Sequence, residues 1–329
     1  MIGFAGFSRA ARRCAVLALS VMVTVASAQD YPAKPIRVVV PYPPGAGPDF
    51  VARLLAQRIG PMTGQSVVVE NRAGSGGVPA ILEMMRSPAD GYTVFASDQG
   101  HWSIYPAMNS NAAYDPQRDF APVSLVLYAV QFIVSRTSFP ARDLGELIVR
   151  ARTAPGEVRY SSYGVGGLAH LTVEAFAADL GLKLLHAPYP GGVPAMEAVL
   201  RGDVDFSVLS IGQFQPHVQS GKLRPLAVVT PPRHKALPNV PTIAEAAPLP
   251  GFEFPAVAGW VLRTGTPRPI IDRLSALVAR AEQSPEVIEK MEGFGFEARY
   301  STPEQMAEQM RSDFRKMARI VKALGIASQ

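Results

Sequence analysis

The sequence predicts an α/β protein of two lobes, in which each lobe is a largely parallel β-sheet flanked by helices. Short apolar, β-branched runs alternate with helical segments over most of the chain, an order typical of parallel sheets. The chain has 329 residues, and a single hydrophobic core normally stops growing beyond about 250–300 residues. Long apolar segments at 123–134 and 252–262 are suited to cross between the lobes. We therefore expect lobe 1 to comprise 29–130 and 257–329, and lobe 2 to comprise 131–256.

Residues 1–28 are expected to be an export signal and are excluded from the fold. Three arginines precede an apolar core at 14–25, and Ala26-Ser27-Ala28 then provides a small-residue cleavage site. The apolar core is shorter than the about 20 residues that a transmembrane helix needs. This pattern predicts cleavage after Ala28. A pair of adjacent arginines leaves open whether export follows general secretion or the twin-arginine route.

Composition excludes several kinds of chemistry. The single cysteine, Cys14, lies inside the export signal, so the mature chain has neither a disulfide nor a reactive thiol. The formal charge falls from +5 to +2 when the signal is removed, because that segment contains three arginines and no acid. No run of basic residues and no aromatic–basic stripe is present, so we expect no binding to nucleic acid.

The first element of the mature chain ends in a turn that is rich in proline and glycine. Ile36–Val40 is a compact β-branched run and predicts a buried strand. The turn at 41–47 follows, and Asp49 and Phe50 then open an amphipathic helix. Such a turn directs free backbone N–H groups and the positive end of a helix dipole at any ligand. It predicts a site for a small anion, although an ordinary turn without a ligand has the same pattern.

The following segments repeat this strand–turn–helix order. We predict strands at 67–70, 92–96, 158–160, 182–187, 204–209 and 223–230, and helices at 80–85, 144–152, 168–180 and 196–201. Glycine-rich turns are expected at 71–77, 161–167 and 188–192, a polar loop at 97–102, and a proline-rich excursion at 231–250. Three terminal helices are predicted to start at Thr266-Pro267, Ser284-Pro285 and Thr302-Pro303, the last with a capping-box Gln305.

Motifs of cofactor, nucleotide or metal sites are weak or missing. The segment from Gly164 to Ala169 matches G-x-G-x-x-A, but the next strand ends at His186-Ala187 without the acid that would hold a ribose. Neither a G-x-S-x-G nor a G-x-x-x-x-G-K-[ST] segment occurs, and the five histidines show no metal-ligand spacing. Asp98, His101 and Ser161 could form a catalytic set, but nothing in the sequence orders them. We expect no cofactor, no metal and no enzymatic activity.

The four loops expected to form the site, 41–49, 97–102, 161–170 and 188–192, contain no lysine or arginine. An anion bound there would be held by backbone N–H groups, hydroxyls, His101 and water, which favours a reversible binder over an enzyme. Tyr42, Trp102, Tyr163 and Tyr189 would supply apolar walls and hydroxyl groups, although each is more often a packing residue.

A set of motifs in order makes the chain similar to a known family. They are PIRVVVPYPPGAGPDFVAR, VVVENRAGSGG, DGYTVFAS, YSSYGVGGLAHLTVEAF, HAPYPGG, GKLRPLAV, LPNVPTIAEA and TGTPRPIIDRL. From about residue 31 to the C-terminus the chain resembles the Bug receptors, the solute-binding proteins of tripartite tricarboxylate transporters. The resemblance implies a periplasmic binding protein fold, type II-like, with two crossover strands. It also implies a monomer that closes on a small organic carboxylate and delivers it to membrane permease subunits.

The resemblance also implies which residues bind the solute, partly through ordered water. In lobe 1 they are Tyr42, Pro44, Gly45, Ala46, Gly47, Asp49, Ser97, Gly100 and His101; in lobe 2 they are Tyr163, Gly164, Gly166, Gly167, His170, Pro188, Tyr189 and Gly191. The chain departs from the family where Gly45-Ala46 replaces paired glycines and where PYPGG lacks a lysine. The bulky pair His101-Trp102 also departs from it and favours an aromatic or flat solute.

Two alternatives remain open at this stage. A receptor that senses its carboxylate and signals to a membrane histidine kinase would need the same closure as an uptake receptor. An exported enzyme that processes a carboxylate would need an ordered nucleophile, base or metal set, which the sequence does not show.

Overall fold

The computed structural model describes residues 31–325 apart from residues 110 and 231, so the predicted export signal lies outside the described residues. The strands are β1 Ile36–Val40, β2 Val67–Asn71, β3 Thr93–Asp98, β4 Phe120–Ala129, β5 Gln131–Arg136, β6 Arg159–Ser162, β7 Leu185–Pro188, β8 Phe206–Ser210, β9 Leu223–Val228 and β10 Ala256–Arg263. The helices are α1 Gly47–Thr63, α2 Val78–Arg86, α3 Tyr105–Met108, α4 Pro116–Asp119, α5 Leu144–Thr153, α6 Leu168–Leu180, α7 Gly192–Arg201, α8 Ile211–Gln219, α9 Ile243–Ala246, α10 Arg268–Glu282, α11 Pro285–Gly293 and α12 Pro303–Leu324.

The strands form two separate sheets. The first has the order β2-β1-β3-β10-β4, with β1 parallel to β2 and β3, and with β10 antiparallel to β3 and β4. The second has the order β7-β6-β8-β5-β9, with β6 parallel to β7 and β8, and with β5 antiparallel to β8 and β9. The two-lobe α/β fold with largely parallel sheets is therefore confirmed, and each sheet carries one antiparallel strand.

The chain passes from one sheet to the other along the apolar run at 123–134. This run is two strands, because β4 ends at Ala129 in the first sheet and β5 begins at Gln131 in the second, with Val130 between them. The apolar run at 252–262 returns the chain to the first sheet, and all of β10 lies in that sheet. The division into lobes at 130/131 and 256/257 stays a prediction, and the second boundary falls one residue inside β10.

Both faces of each sheet are covered by apolar side chains, which explains why the strands lack clean alternation of polar residues. In β1, Val38 and Val40 pack with Leu55 on one face, whereas Val39 packs with Ile81 on the other. In β5, Ile133 and its neighbour Phe132 likewise belong to cores on opposite faces.

The last helix belongs to both lobes. A capping box of Thr302 and Gln305 starts α12. Met306 packs in the core of the first lobe and Met317 in that of the second. Trp102 joins the same helix, because its Nε1–H donates to Asp313 Oδ2 at 2.9 Å. Since α12 also packs on β4, it ties the two lobes together close to the crossing.

The short helices α3, α4 and α9 were not predicted, and two further segments that contribute to the cleft wall also differ from the prediction. The segment 97–102 is not a polar loop, because β3 continues to Asp98 and residues 100–104 form a π-helical turn with buried side chains. The segment was predicted to be a polar loop, whereas the rings of His101 and Trp102 are both buried. Helix α8 was not predicted. Its capping box between Ser210 and Gln213 was a usable signal, but Pro216 inside the helix argued against it.

Candidate functional site

A cleft of about 960 Å³ lies between the two sheets, within the size range of small-molecule sites. Residues within three positions of the ends of parallel strands line it: Tyr42 after β1, Gln99 after β3, Tyr163 after β6 and Gly191 after β7. Ligands of open α/β sheets bind at this edge, because the turns there are free to approach a solute. The fold therefore places the glycine-rich turns of both lobes around one space.

Four helices begin at the wall of this cleft. Their N-cap residues are Ala46 for α1, Gly167 for α6, Gly191 for α7 and Ser210 for α8, and all four line the cleft. No side chain caps the first three helices, so their first N–H groups are not blocked by a neighbouring oxygen. The positive ends of the four helix dipoles converge on the cleft, which favours an anion.

Eight of the residues predicted from the sequence line the cleft. They are Tyr42, Ala46, Gly47 and Gly100 from the first lobe, and Tyr163, Gly166, Gly167 and Gly191 from the second. Gly166 has a φ of +75°, and a Cβ at this residue would lie 2.7 Å from Met108 Sδ. Only glycine fits this turn without strain. Direct contact of these eight residues with a solute stays a prediction.

The other predicted residues of the first turn, Pro44, Gly45 and Asp49, lie outside the lining. Asp49 is buried and accepts hydrogen bonds from Gly45 N–H at 2.8 Å, Asn71 Nδ2 at 2.8 Å and Arg53 Nε at 3.1 Å. Burial alone would raise the pKa of Asp49, but the bonds from Arg53, Gly45 and Asn71 lower it below its usual value. Asp49 thus fixes the shape of the turn from behind.

His101 also lies outside the lining. It contacts Asp98, and Asp98 lines the cleft. His101 Nδ1 is 2.8 Å from Asp98 Oδ1, and the Tyr42 hydroxyl donates to Oδ2 at 2.5 Å. The N–H of Gly100 donates to Oδ1 at 2.8 Å. Burial would raise the pKa of Asp98, but these three neighbours lower it below its usual value. A fixed carboxylate therefore faces the cleft from the first lobe.

Ser97 and Trp102 are buried behind this network and do not line the cleft. Ser97 Oγ has no hydrogen-bond partner among the described residues. Trp102 is fully buried against the first lobe, with its ring nitrogen bonded to α12. The expectation that the bulky pair His101-Trp102 favours an aromatic or flat solute therefore has no support from the position of the Trp102 ring.

In the second lobe, Gly164, His170, Pro188 and Tyr189 lie outside the lining. His170 Nδ1 accepts the N–H of Gly166 at 3.0 Å, and its ring stacks on His186 at 4.0 Å. Burial lowers the pKa of His170, and burial together with His170 lowers that of His186 to about 4. Both rings are therefore neutral near pH 7, and His170 holds the Gly166 turn in place.

The sequence reasoning missed most of the other lining residues, among them two glutamines and two phenylalanines. Gln131 and Gln213 belong to the second lobe, and Phe294 and Phe296 reach the cleft from the loop after α11. Gln131 was hidden inside the predicted crossing. The repeat Gly-Phe-Gly-Phe at 293–296 was a signal, because two glycines beside aromatic rings are typical of a close backbone approach.

A smaller cavity of about 410 Å³ lies between α6, the segment 248–254 and α12. None of the four helix starts that face the main cleft lines it. Among the described residues, no three His, Cys, Asp or Glu side chains are grouped to hold a metal ion. None of the described helices combines the length and apolar character of a membrane span.

The two lobes with a cleft at the strand ends define the class of periplasmic binding proteins, and comparison with known proteins agrees. The R. palustris protein Rpa4515, solved with adipate, is 31% identical, with a TM-score of 0.79 over 90% of this chain and 99% of that one. MatC of Rhodopseudomonas palustris, solved with bound malate, is 28% identical, with a TM-score of 0.74 over 88% of this chain and 100% of that one.

Comparison of sequences gives the family. The sequence model of the tripartite tricarboxylate transporter family receptor matches residues 51–326. Protein BugT of Bordetella pertussis is 33% identical over 300 residues, which are 91% of this chain and 92% of BugT. The chain belongs to the family of tripartite tricarboxylate transporter receptors, and the resemblance to the Bug receptors is confirmed. Its relatives are binding and transport receptors.

Proposed function

We propose that this chain is a periplasmic receptor that closes on a small organic solute bearing a carboxylate. It delivers the solute to the membrane permease subunits of a tripartite tricarboxylate-type transporter. The observation that carries the proposal is the convergence of four helix N-termini on one cleft between two lobes. The relatives solved with adipate and malate support a carboxylate as the bound group.

Closure is supported by the way both lobes share the cleft wall. The first lobe contributes the start of α1 and the second contributes the starts of α6, α7 and α8, so a solute in the cleft contacts both. Val130 is the short link between β4 and β5. A solute that contacts both lobes binds the closed form more tightly than the open form and so stabilises the closed form. The permease can then distinguish the loaded receptor from the empty one.

Thermal unfolding with a panel of solutes tests the carboxylate. A ligand at 100 times its dissociation constant stabilises the folded state by about 2.7 kcal/mol, which gives a clear rise in Tm. We expect one or more carboxylic acids to raise Tm, and we expect sugars, neutral amides and metal ions to leave it unchanged. The methyl ester of a binding acid is the matched control, because it keeps the shape and loses the charge.

The decisive comparison is between acid and ester. An ester that raises Tm as much as its acid would show that the carboxylate is not recognised. A sugar that binds would contradict the assignment of the solute as an organic acid. Delivery is tested separately in the native host. Deletion of the gene should abolish uptake of the identified acid, and normal uptake by the deletion strain would contradict the transport role.

A further inference from the structure

The glycine-rich turn of the second lobe uses its own N–H groups to fix its shape. Gly164 and Gly166 have φ angles of +126° and +75°. The N–H of Gly164 donates to Ser162 Oγ at 3.3 Å, and the N–H of Gly166 donates to His170 Nδ1 at 3.0 Å. The N–H of Gly167 donates to Gly164 O at 3.2 Å. The first N–H groups of α6, which have no partner within their helix, are therefore the main donors that this segment offers a solute, and the turn sets their direction.

Ser162 holds Gly164 from the end of β6. Its Oγ accepts the N–H of Gly164 and also donates to Gly164 O at 3.0 Å. His186 Nε2 lies 2.6 Å from the same Oγ. A serine hydroxyl has one proton, so all three bonds exist together only when His186 has its proton on Nε2 and donates to Ser162. The three bonds therefore assign this tautomer to His186, and they make its ring part of the support of Gly164.

His186 also contacts the residue that supports Gly166. Its ring stacks on the ring of His170, with 4.0 Å between the centroids and 20° between the planes. Tyr160 stacks on His186 as well, at 4.9 Å. His170 Nδ1 accepts the N–H of Gly166 only while its ring keeps this orientation, and the stacking on His186 restricts the orientation. One residue of β7, half-buried and outside the cleft lining, thus contacts the supports of both glycines.

The two histidines supply no charge to a solute. The ionisable groups beside them are Tyr160 and Glu174, and the Tyr160 hydroxyl donates to Glu174 Oε1 at 2.5 Å. Burial and His170 lower the pKa of His186 to about 4, although Glu174 opposes this change. Burial also lowers the pKa of His170. Because both rings are neutral near pH 7, they act on a solute through the turn and not through electrostatic attraction.

We infer that His186 is a positioning residue for solute binding. It fixes Gly164 through the hydroxyl of Ser162. It fixes Gly166 through the ring of His170. Together these two connections direct the start of α6 at the cleft, where Gly166 is part of the lining. The inference rests on the proposed function, because it assigns this role for the same cleft.

Hydrogen exchange of single amides, measured by NMR on the solute-free mature chain, tests the two connections. His186→Ala removes both, so we expect the amides of Gly164 and Gly166 to exchange about tenfold faster or more. His186→Phe keeps a ring against His170 but has no donor for Ser162, so only Gly164 should exchange faster. His186→Gln keeps a donor and should protect Gly164, while Gly166 exchanges faster.

The amides of β8 are the internal control, because this strand pairs with β6 in the same sheet and contains neither glycine of the turn. They should exchange at the wild-type rate in all three variants, which shows that the fold persists. Unchanged exchange at Gly164 and Gly166 in His186→Ala overturns the inference. Faster exchange throughout the sheet would make His186 a packing residue and would overturn it as well. This measurement needs no solute, so its outcome is independent of the proposed function.

Calorimetry tests the consequence for binding, with malate, adipate and benzoate as probes. We expect each probe that binds the wild type to bind His186→Ala about tenfold more weakly, a factor that corresponds to about 1.4 kcal/mol. Adding His186→Phe to Ser162→Ala should cause no further loss, because both changes act on one network of bonds. His217→Ala is the matched control, because His217 is half-buried on α8 and lies outside the cleft lining.

The outcomes of the two experiments separate the inference from the proposed function. Wild-type affinity of His186→Ala for every probe that binds overturns the positioning role. Additive losses in the double variant overturn the connection through Ser162. Failure of all three probes to bind the wild type counts against the proposed function, and the exchange rates of Gly164 and Gly166 then still decide the inference.

Discussion

Asp49 shows how a residue can control a site without facing it. It was selected from the sequence as a ligand-binding residue, but its carboxylate is directed into the turn, where Gly45, Arg53 and Asn71 share it. The turn at 41–47 has three prolines before Gly45 and no regular hydrogen-bond ladder, so its shape depends on this side chain. His101 and His170 act in the same way, through Asp98 and through the N–H of Gly166.

Replacement of this carboxylate should reduce stability in a pH-dependent way. The folded-state pKa of Asp49 is lowered below the unfolded value near 3.9, so its hydrogen bonds stabilise the fold above that value. This stability is lost as the pH falls through the folded-state pKa. We expect Asp49→Asn to lower the free energy of unfolding by about 1–3 kcal/mol at pH 7. Urea unfolding at pH 7 and at successively lower pH should show this difference shrinking.

Asp90→Asn is the control for this measurement, because Asp90 pairs with Lys34 at the surface, with side-chain exposures of 37% and 58%. Its effect should stay within about 0.5 kcal/mol. A difference between wild type and Asp49→Asn that is constant across the pH range would show that the charge of Asp49 does not matter.

At the scale of elements, the sequence predicted most strands and helices, because their apolar periods are strong. It also predicted that the turns before α1 and α6 meet, although that rested on the family resemblance. The π-helical turn at 100–104 could not be predicted, and the glycines and phenylalanines at 293–296 indicated a close backbone approach but not its place beside the cleft. Both owe their position to tertiary contacts, such as the bond from Trp102 to Asp313 and the stacking of Phe294 on Phe50. Local sequence propensity does not encode such tertiary contacts.

The loop after α11 makes a close contact with the start of α8 across the cleft. A Cβ on Gly212 would lie 2.5 Å from Phe294 O, and a Cβ on Gly295 would lie 2.7 Å from Gly212 N. Glu292 also pairs with Lys235 of the second lobe beside this contact. The backbones of the two lobes thus meet through glycines, and a side chain between them would hold the lobes apart.

Gly212→Ala should therefore weaken closure. A Cβ that displaces the loop lowers the population of the closed form, and the apparent affinity falls by the same factor for every solute. We expect a loss of about tenfold or more by calorimetry, with little change in the Tm of the solute-free protein. Gly60→Ala in α1 is the matched control, because a Cβ there would meet only Gln65 O at 3.5 Å and Gly60 lies outside the cleft lining. Equal affinities for Gly212→Ala and wild type would show that the contact is not needed for closure.

At the scale of the whole molecule, the export of the chain is still a prediction. Its pattern of three arginines, an apolar core and Ala26-Ser27-Ala28 lies outside the described residues. We expect the periplasmic protein to begin at Gln29, as measured by intact mass spectrometry after expression of the full gene. A periplasmic chain that retains residues 1–28, or a full-length chain found in the cytoplasm, would contradict this prediction. Light scattering on the same sample should give the mass of a monomer.

Helix α12 sets a geometric limit on how this molecule can move. Met310 packs in the first lobe and Met317 in the second, and these residues are about 10 Å apart along the helix axis at 1.5 Å per residue. Because a helix does not stretch along its axis, we expect the lobes to open, in the proposed function, by rotation about a line close to it. The far rim then travels much further than the floor near Gln99. A solute too long for the cleft would contact the rim and prevent closure. Favourable contacts with the residues near Gln99 would then not restore its affinity.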